Sequence, residues 1–174
     1  MAESAPDSPP DAPPAAAVEA PQQSNRKNGE RFRKAVARHI AKAYAGRLRV
    51  FEEVPLGSSI IGKARRVDIL VLSQDYRTAA ALETKFQDSQ GTADEKMPYA
   101  LQDCAAMHIP ASVVYAGEGW SKGVRHLLAG SAYAVEVSVM GADVIADSRE
   151  LDVFLAEVFG FWEMVVAGRS ELVP

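Results

Sequence analysis

The sequence predicts an α/β domain, a central mixed five-stranded sheet flanked by helices in the order αβββαβαβα. Three observations carry that prediction. Apolar residues recur every three to four positions over 28–45 and 149–159, the period of a helix with one buried face. Short apolar runs at 66–73, 78–87 and 111–116 have the length of buried strands. The first two runs are separated only by Gln74–Arg77, whereas a long helical stretch separates the last two. The sheet must therefore combine an antiparallel hairpin with a parallel crossover.

The chain of 174 residues is 48% hydrophobic, enough for one globular domain plus a tail. Residues 1–24, rich in Ala, Pro, Ser and Asp, hold almost no large apolar group and are expected to be a disordered tail. Residues 25–174 are expected to form the single domain. One cysteine, Cys104, excludes an internal disulfide and a cysteine-rich metal site. No apolar stretch approaches the roughly 18 residues of a membrane span, and the acidic, proline-rich start is unlike a signal peptide. A cytoplasmic protein without a membrane partner is expected. The net charge is −4, yet residues 25–66 hold twelve Lys/Arg against three acids. Such a block attracts phosphates even on an acidic molecule, or else it is a solvated helix face.

In chain order, Phe32, Val36, Ile40 and Tyr44 mark one face of a helix over 28–45. Asn25 or Asn28 is placed to cap it and Gly46 to end it. Residues 48–56 read as a first strand in which Glu52 and Glu53 point to opposite faces. After a turn at 57–62 come the second strand, 66–73, and the third, 78–87. Thr92 and Glu95 make a capping box for a helix to about His108, disturbed by Pro98. A fourth strand (111–116), a helix (120–128), a fifth strand (132–140) and an acidic amphipathic helix (149–159) complete the order.

The chemistry-bearing residues lie on the second and third strands. Glu83, Lys85 and Gln87 stand at alternate positions and so share a face. A turn centred on Asp75 and Tyr76 pairs position 68 with about position 83, bringing Asp68 to Glu83. Charges beside an apolar sheet need compensation, either by a metal ion or by one another in a buried ion-pair cluster.

Asp68, Glu83 and Lys85, with Gln87 completing Glu-x-Lys-x-Gln, resemble the motif of the PD-(D/E)XK nuclease superfamily. Val67 stands where the motif's name has proline. The Gln-x-x-x-Tyr of the RecB-like branch is absent. The resemblance implies a restriction-endonuclease-like core in which Asp68 and Glu83 hold Mg²⁺, with Mn²⁺ as a substitute. Lys85 would position and activate the attacking water, and Gln87 would contact water or phosphate. Glu30 or Glu53 is a further candidate ligand, Glu30 serving otherwise as a first-turn acid complementing the helix dipole. Arg31, Lys34, Lys63, Arg65 and Arg66, with Lys96 and Tyr99 from the following helix, are candidate nucleic-acid contacts, Tyr99 being alternatively a packing residue. The expected function is a metal-dependent DNA endonuclease of phage, mobile-element, restriction or junction-resolving type. The alternative is a catalytically silent DNA-binding or assembly module of the same fold. The expected partners are DNA and a second copy in a homodimer, with the N-terminal tail or C-terminal acidic helix available to another protein.

Overall fold

The computed structural model describes residues 21–89 and 93–172. Helix α1 (Pro21–Ala43) precedes three strands, β1 (Leu48–Ser58), β2 (Ala64–Ser73) and β3 (Ala79–Phe86). Then follow α2 (Ala93–Ala105), β4 (Ala111–Ala116), α3 (Lys122–Ala129) and β5 (Ala134–Glu136). A hairpin of β6 (Ser138–Met140) and β7 (Val144–Asp147) leads to α4 (Arg149–Phe159) and the short α5 (Trp162–Val165). Strands β1 to β5 lie in sequence order in one sheet, and β6–β7 form a separate pair. The first three strands are antiparallel, while β3–β4 and β4–β5 are parallel, as their helical crossovers require.

Helices cover both faces of the sheet. On one, Phe32, Val36, Ile40 and Tyr44 of α1 are fully buried against Ile69, Val71, Leu82, Leu151 and Leu155. Burying such a side chain stabilises the fold by roughly 1.5–3 kcal/mol. On the other, Met97, Leu101 and Cys104 of α2 and Leu128 of α3 pack on Ala81, Val113 and Tyr115. Burial pushes the Cys104 thiol up to about 12, which removes it as a nucleophile at neutral pH.

The β2–β3 register is set locally. Ser73 Oγ donates to Asp75 and accepts from the Arg77 and Thr78 amides, and Tyr76 takes a left-handed φ of 60°. The tight turn fixes Leu72↔Ala79 and, by steps of one, Ile69↔Leu82.

Several expectations need correction. Helix α1 begins at Pro21, where the missing amide hydrogen costs nothing in the first turn. Residues 21–24 are thus helical rather than tail, and Asn25 and Asn28 are not caps; residues 1–20 lie outside the described residues, as does Thr92. Glu30 is consequently in mid-helix, too far from the N-terminus to feel its dipole. Helix α2 ends at Ala105, before His108. The strand expected over 132–140 divides: Ala134–Glu136 joins the main sheet and Ser138–Met140 pairs with β7. Val135 and Val137 are both buried, so the alternation runs unbroken through the change of partner.

Candidate active site

Asp68 sits where β2 parts from both neighbours. The β2–β3 ladder stops at Ile69↔Leu82. The β1–β2 register passes from Glu52↔Ile69 to Val54↔Val67 without pairing Glu53 with Asp68. The Asp68 side chain bonds across the gap instead: Oδ2 accepts from the Thr84 amide at 2.7 Å and from Thr84 Oγ1 at 2.8 Å. Those two donors orient the carboxylate.

Glu83 lies one step beyond the last paired rung, and its side chain is only 18% exposed. Burial pushes its carboxyl up to about 7; Lys85 pulls against the rise and the charge of Asp68 adds to it. Lys85 Nζ donates to Glu83 Oε2 at 3.4 Å and to the Thr84 carbonyl at 3.3 Å. The three side chains do not line one cavity. Asp68 lines a cleft of about 420 Å³ with Glu30, Arg33, Glu53 and Thr84. Glu83 lines another, of about 410 Å³, with Lys63, Arg66, Lys96 and Tyr99. Lys85 borders both. Among the described residues, no group of three or more His, Cys, Asp and Glu could hold a metal ion.

Gln87 does not stand free beside Glu83 and Lys85. It is buried, and its amide nitrogen donates to Asp94 Oδ1 at 2.8 Å and to the Gly119 carbonyl at 2.9 Å. Asp94 also accepts from the Ser121 amide, and the Ser121 side chain first, with Gln87 and that amide, holds its carboxyl below the usual range. The 117–119 loop packs backbone to backbone on this corner, with φ at Gly117 of +101°. A Cβ there would fall 2.1 Å from the Gln87 carbonyl oxygen, so glycine is required. Gln87 thereby ties the end of β3 to the start of α2 and to the β4–α3 loop.

The basic candidates divide. Arg65 donates two bonds to Asp103, 2.9 and 2.8 Å, with side chains 11% and 9% exposed. Its guanidinium is committed to Asp103, while the residue still borders the Glu83 cleft beside Lys63 and Arg66. Arg31 pairs with Asp143, and Lys34 with Glu30 at 2.7 Å, both on the surface and exchangeable with solvent. Lys63, Arg66, Lys96 and Tyr99 gather at the Glu83 cleft. Glu52 and Glu53 both accept from Arg33, at 3.1 and 2.9 Å, although alternation sends them to opposite faces. The left-handed φ of 54° at Glu53 turns its side chain to the same partner. Arg33, Thr84 and Asp94 give no sequence signal of a role in this corner. Asp103 does: it interrupts the apolar stripe of Met97, Ala100, Leu101 and Cys104 on α2.

A family model of the PD-(D/E)XK nuclease superfamily domain matches residues 22–162. The chain belongs to that superfamily. The five-stranded mixed sheet with helices on both faces is its restriction-endonuclease-like core, and the domain is nuclease-like. No curated protein matches the chain. Among solved structures it is similar to a repair endonuclease from Pyrococcus abyssi, with 15% identity and a TM-score of 0.37, covering 62% of this chain and 46% of that one. It is similar to SfsA of Pyrococcus furiosus in complex with Ca²⁺ at 14% identity and a TM-score of 0.32, covering 78% and 53%. A protein of unknown function aligns at 8% identity and a TM-score of 0.44, covering 74% and 66%. The chain spans 46% to 66% of the length of these structures. Among the described residues, no helix is long and apolar enough to cross a membrane.

Proposed function

We propose that this PD-(D/E)XK domain is a metal-dependent DNA endonuclease acting at Asp68, Glu83 and Lys85. The observation that carries it is a lysine ammonium 3.4 Å from a largely buried carboxylate on one strand, beside an aspartate at a break in both ladders. Buried charge at such a break adds little to stability and has no evident structural use.

The donor chemistry suits a hard cation, although Asp68 and Glu83 border neighbouring clefts that share only Lys85 and would have to turn toward one ion. Asp68 and Glu83 offer carboxylate oxygens, and open clefts on either side admit the waters that Mg²⁺ retains; Mn²⁺ accepts the same ligands. The displaced pKa of Glu83 supports this reading, since its buried carboxylate has less positive charge near it than it requires. When bound, the ion supplies charge neutralisation at the phosphoryl oxygens and acidifies water. The chain's own residues do the rest. Thr84 holds Asp68 in one orientation. Lys85 donates a hydrogen bond that orients the attacking water. As that oxygen gives its proton to solvent and bonds to phosphorus, the P–O bond to the leaving sugar oxygen breaks, and the ammonium offsets the negative charge that builds on the phosphoryl oxygens. Lys63, Arg66 and Lys96 hold the DNA backbone by charge. Glu30 and Glu53, on the Asp68 side, are tied to Lys34 and Arg33 and serve there to balance charge. Gln87 acts at one remove by fixing α2. A symmetric pair of such domains would cut both strands.

The test is incubation of supercoiled plasmid with the protein in Mg²⁺, Mn²⁺ or EDTA, beside Glu83→Ala and Lys85→Ala. Nicking that needs the ion and falls about a hundredfold or more in each variant supports the proposal. No nicking, with DNA binding indifferent to both substitutions, would instead identify a silent binding module of the same fold.

A further inference from the structure

The tip of the β1–β2 hairpin carries two adjacent branched apolar residues, Ile60 and Ile61, 44% and 58% exposed. The tip is not loose. Asp103 on α2 accepts from the Ile60 amide at 2.9 Å and from both arms of Arg65, so one buried carboxylate clamps the hairpin to the helix. Tyr99, one turn earlier on α2, is itself 36% exposed. Ile61 and Tyr99 line the same cleft as Lys63, Arg66 and Lys96, and Lys85 lines it too. Those three cations have no ion-pair partner among the described residues. Apolar groups presented rigidly amid free cations, beside the candidate catalytic lysine, suit a ligand that is both charged and flat. A nucleotide has that chemistry.

We propose that Ile60 and Ile61 form a wedge, and Tyr99 a stacking platform, for an unpaired DNA base next to the scissile phosphate. The preferred substrate is then DNA with an unstacked nucleotide, such as a bulge, flap or branch, rather than continuous duplex. This rests on the nuclease proposal for the place of the cut and adds the substrate class. The three cations bind phosphates whatever the sequence or pairing, so they cannot select. Selection comes from the ring faces: apolar wedges fill an opened base step, and aromatic rings stack on exposed bases. A continuous duplex reaches Ile60 and Ile61 only by breaking a stack, a cost that an already unpaired base avoids. The Asp103 clamp removes the ordering penalty that a flexible wedge would carry.

The experiment measures binding of the full chain in EDTA, so that cleavage plays no part. One probe is a labelled duplex, the other the same duplex with a single unpaired 2-aminopurine. The bulged probe is expected to bind about tenfold more tightly, with a change in 2-aminopurine fluorescence as its stacking partner becomes Tyr99. The Ile60→Ser/Ile61→Ser double variant and Tyr99→Ala should each bring the ratio to about one, whereas Tyr99→Phe, which keeps the ring, should preserve it. Met140→Ser, an exposed apolar change on the separate β6–β7 hairpin, should leave the ratio alone. Equal binding of the two probes, no binding of either, or a preference that survives the isoleucine substitutions would overturn the proposal. Failure of the nuclease proposal shows separately, as absence of metal-dependent nicking whatever the binding ratio.

Discussion

Replacing Glu83 by Gln tests the electrostatics of the site directly through stability. In the folded protein burial holds this carboxyl at about 7, against an ordinary 4.5. The folded state therefore keeps its proton more tightly than the unfolded chain. The sign follows: the protonated form's contribution is fully present below 4.5 and is lost as pH rises through about 7. A tenfold change in acid constant is worth about 1.4 kcal/mol, so the full swing is about 3 kcal/mol. Glutamine has the same shape and no charge, and titrating groups away from the Asp68–Glu83–Lys85 cluster cancel in the comparison. The stability of Glu83→Gln minus that of the native protein should rise by roughly 2–3 kcal/mol between pH 5 and pH 8 in EDTA. Urea denaturation at several pH values, followed by circular dichroism, measures it. Saturating Mg²⁺ at pH 8 should stabilise the native protein and move the variant much less, because the uncharged amide oxygen of glutamine holds a hard cation more weakly than a carboxylate. Parallel pH curves for the two proteins would refute the buried, displaced carboxyl and with it this account of the site.

Asp103→Ala leaves the Arg65 guanidinium buried without its carboxylate and should destabilise the fold by about 3 kcal/mol, read as a lower denaturation midpoint. Arg65→Lys retains the charge but not the two-pronged geometry, and should lose a smaller part of that stability. Gly117→Ala forces a side chain into a left-handed backbone and onto the Gln87 carbonyl, at a cost of roughly 3 kcal/mol or more in the same assay. Ile69→Ala removes a fully buried side chain between α1 and the sheet, and chemical denaturation should show a loss of about 2–5 kcal/mol. Mg²⁺ binding followed by calorimetry should release protons into the buffer at pH 6 and almost none at pH 8.5, reflecting ionisation of Glu83 on binding.

Much of the candidate site was legible in the chain. Asp68, Glu83 and Lys85 could be placed because a short turn fixes the register of a hairpin and a strand has a period of two. The structure keeps that register, with Ile69 opposite Leu82. Period also found the buried face of α1 and both ends of α4 and β4. It failed wherever the answer depended on the partner rather than the face. The alternation of Val135, Val137 and Val139 is the same whether the strand continues in one sheet or passes to another, so the β6–β7 hairpin left no trace. The expected opposition of Glu52 and Glu53 failed because one residue adopts a left-handed backbone that periodicity cannot register.

The sequence by itself determined the five strands of the main sheet in their order, the four longer helices around them, the hairpin that carries the acidic and basic motif, and the basic character of the segment before it. These follow from local geometry and from the burial of apolar faces, which the spacing of residues records. Tertiary structure alone decided what each polar side chain does. It turned Arg65 inward to Asp103, spent the Gln87 amide on Asp94 and Gly119, placed Asp68 and Glu83 in neighbouring clefts joined at Lys85, and left Lys63, Arg66 and Lys96 without an ion-pair partner among the described residues. A charge finds its partner through distances across elements far apart in the chain, and no local pattern encodes those distances.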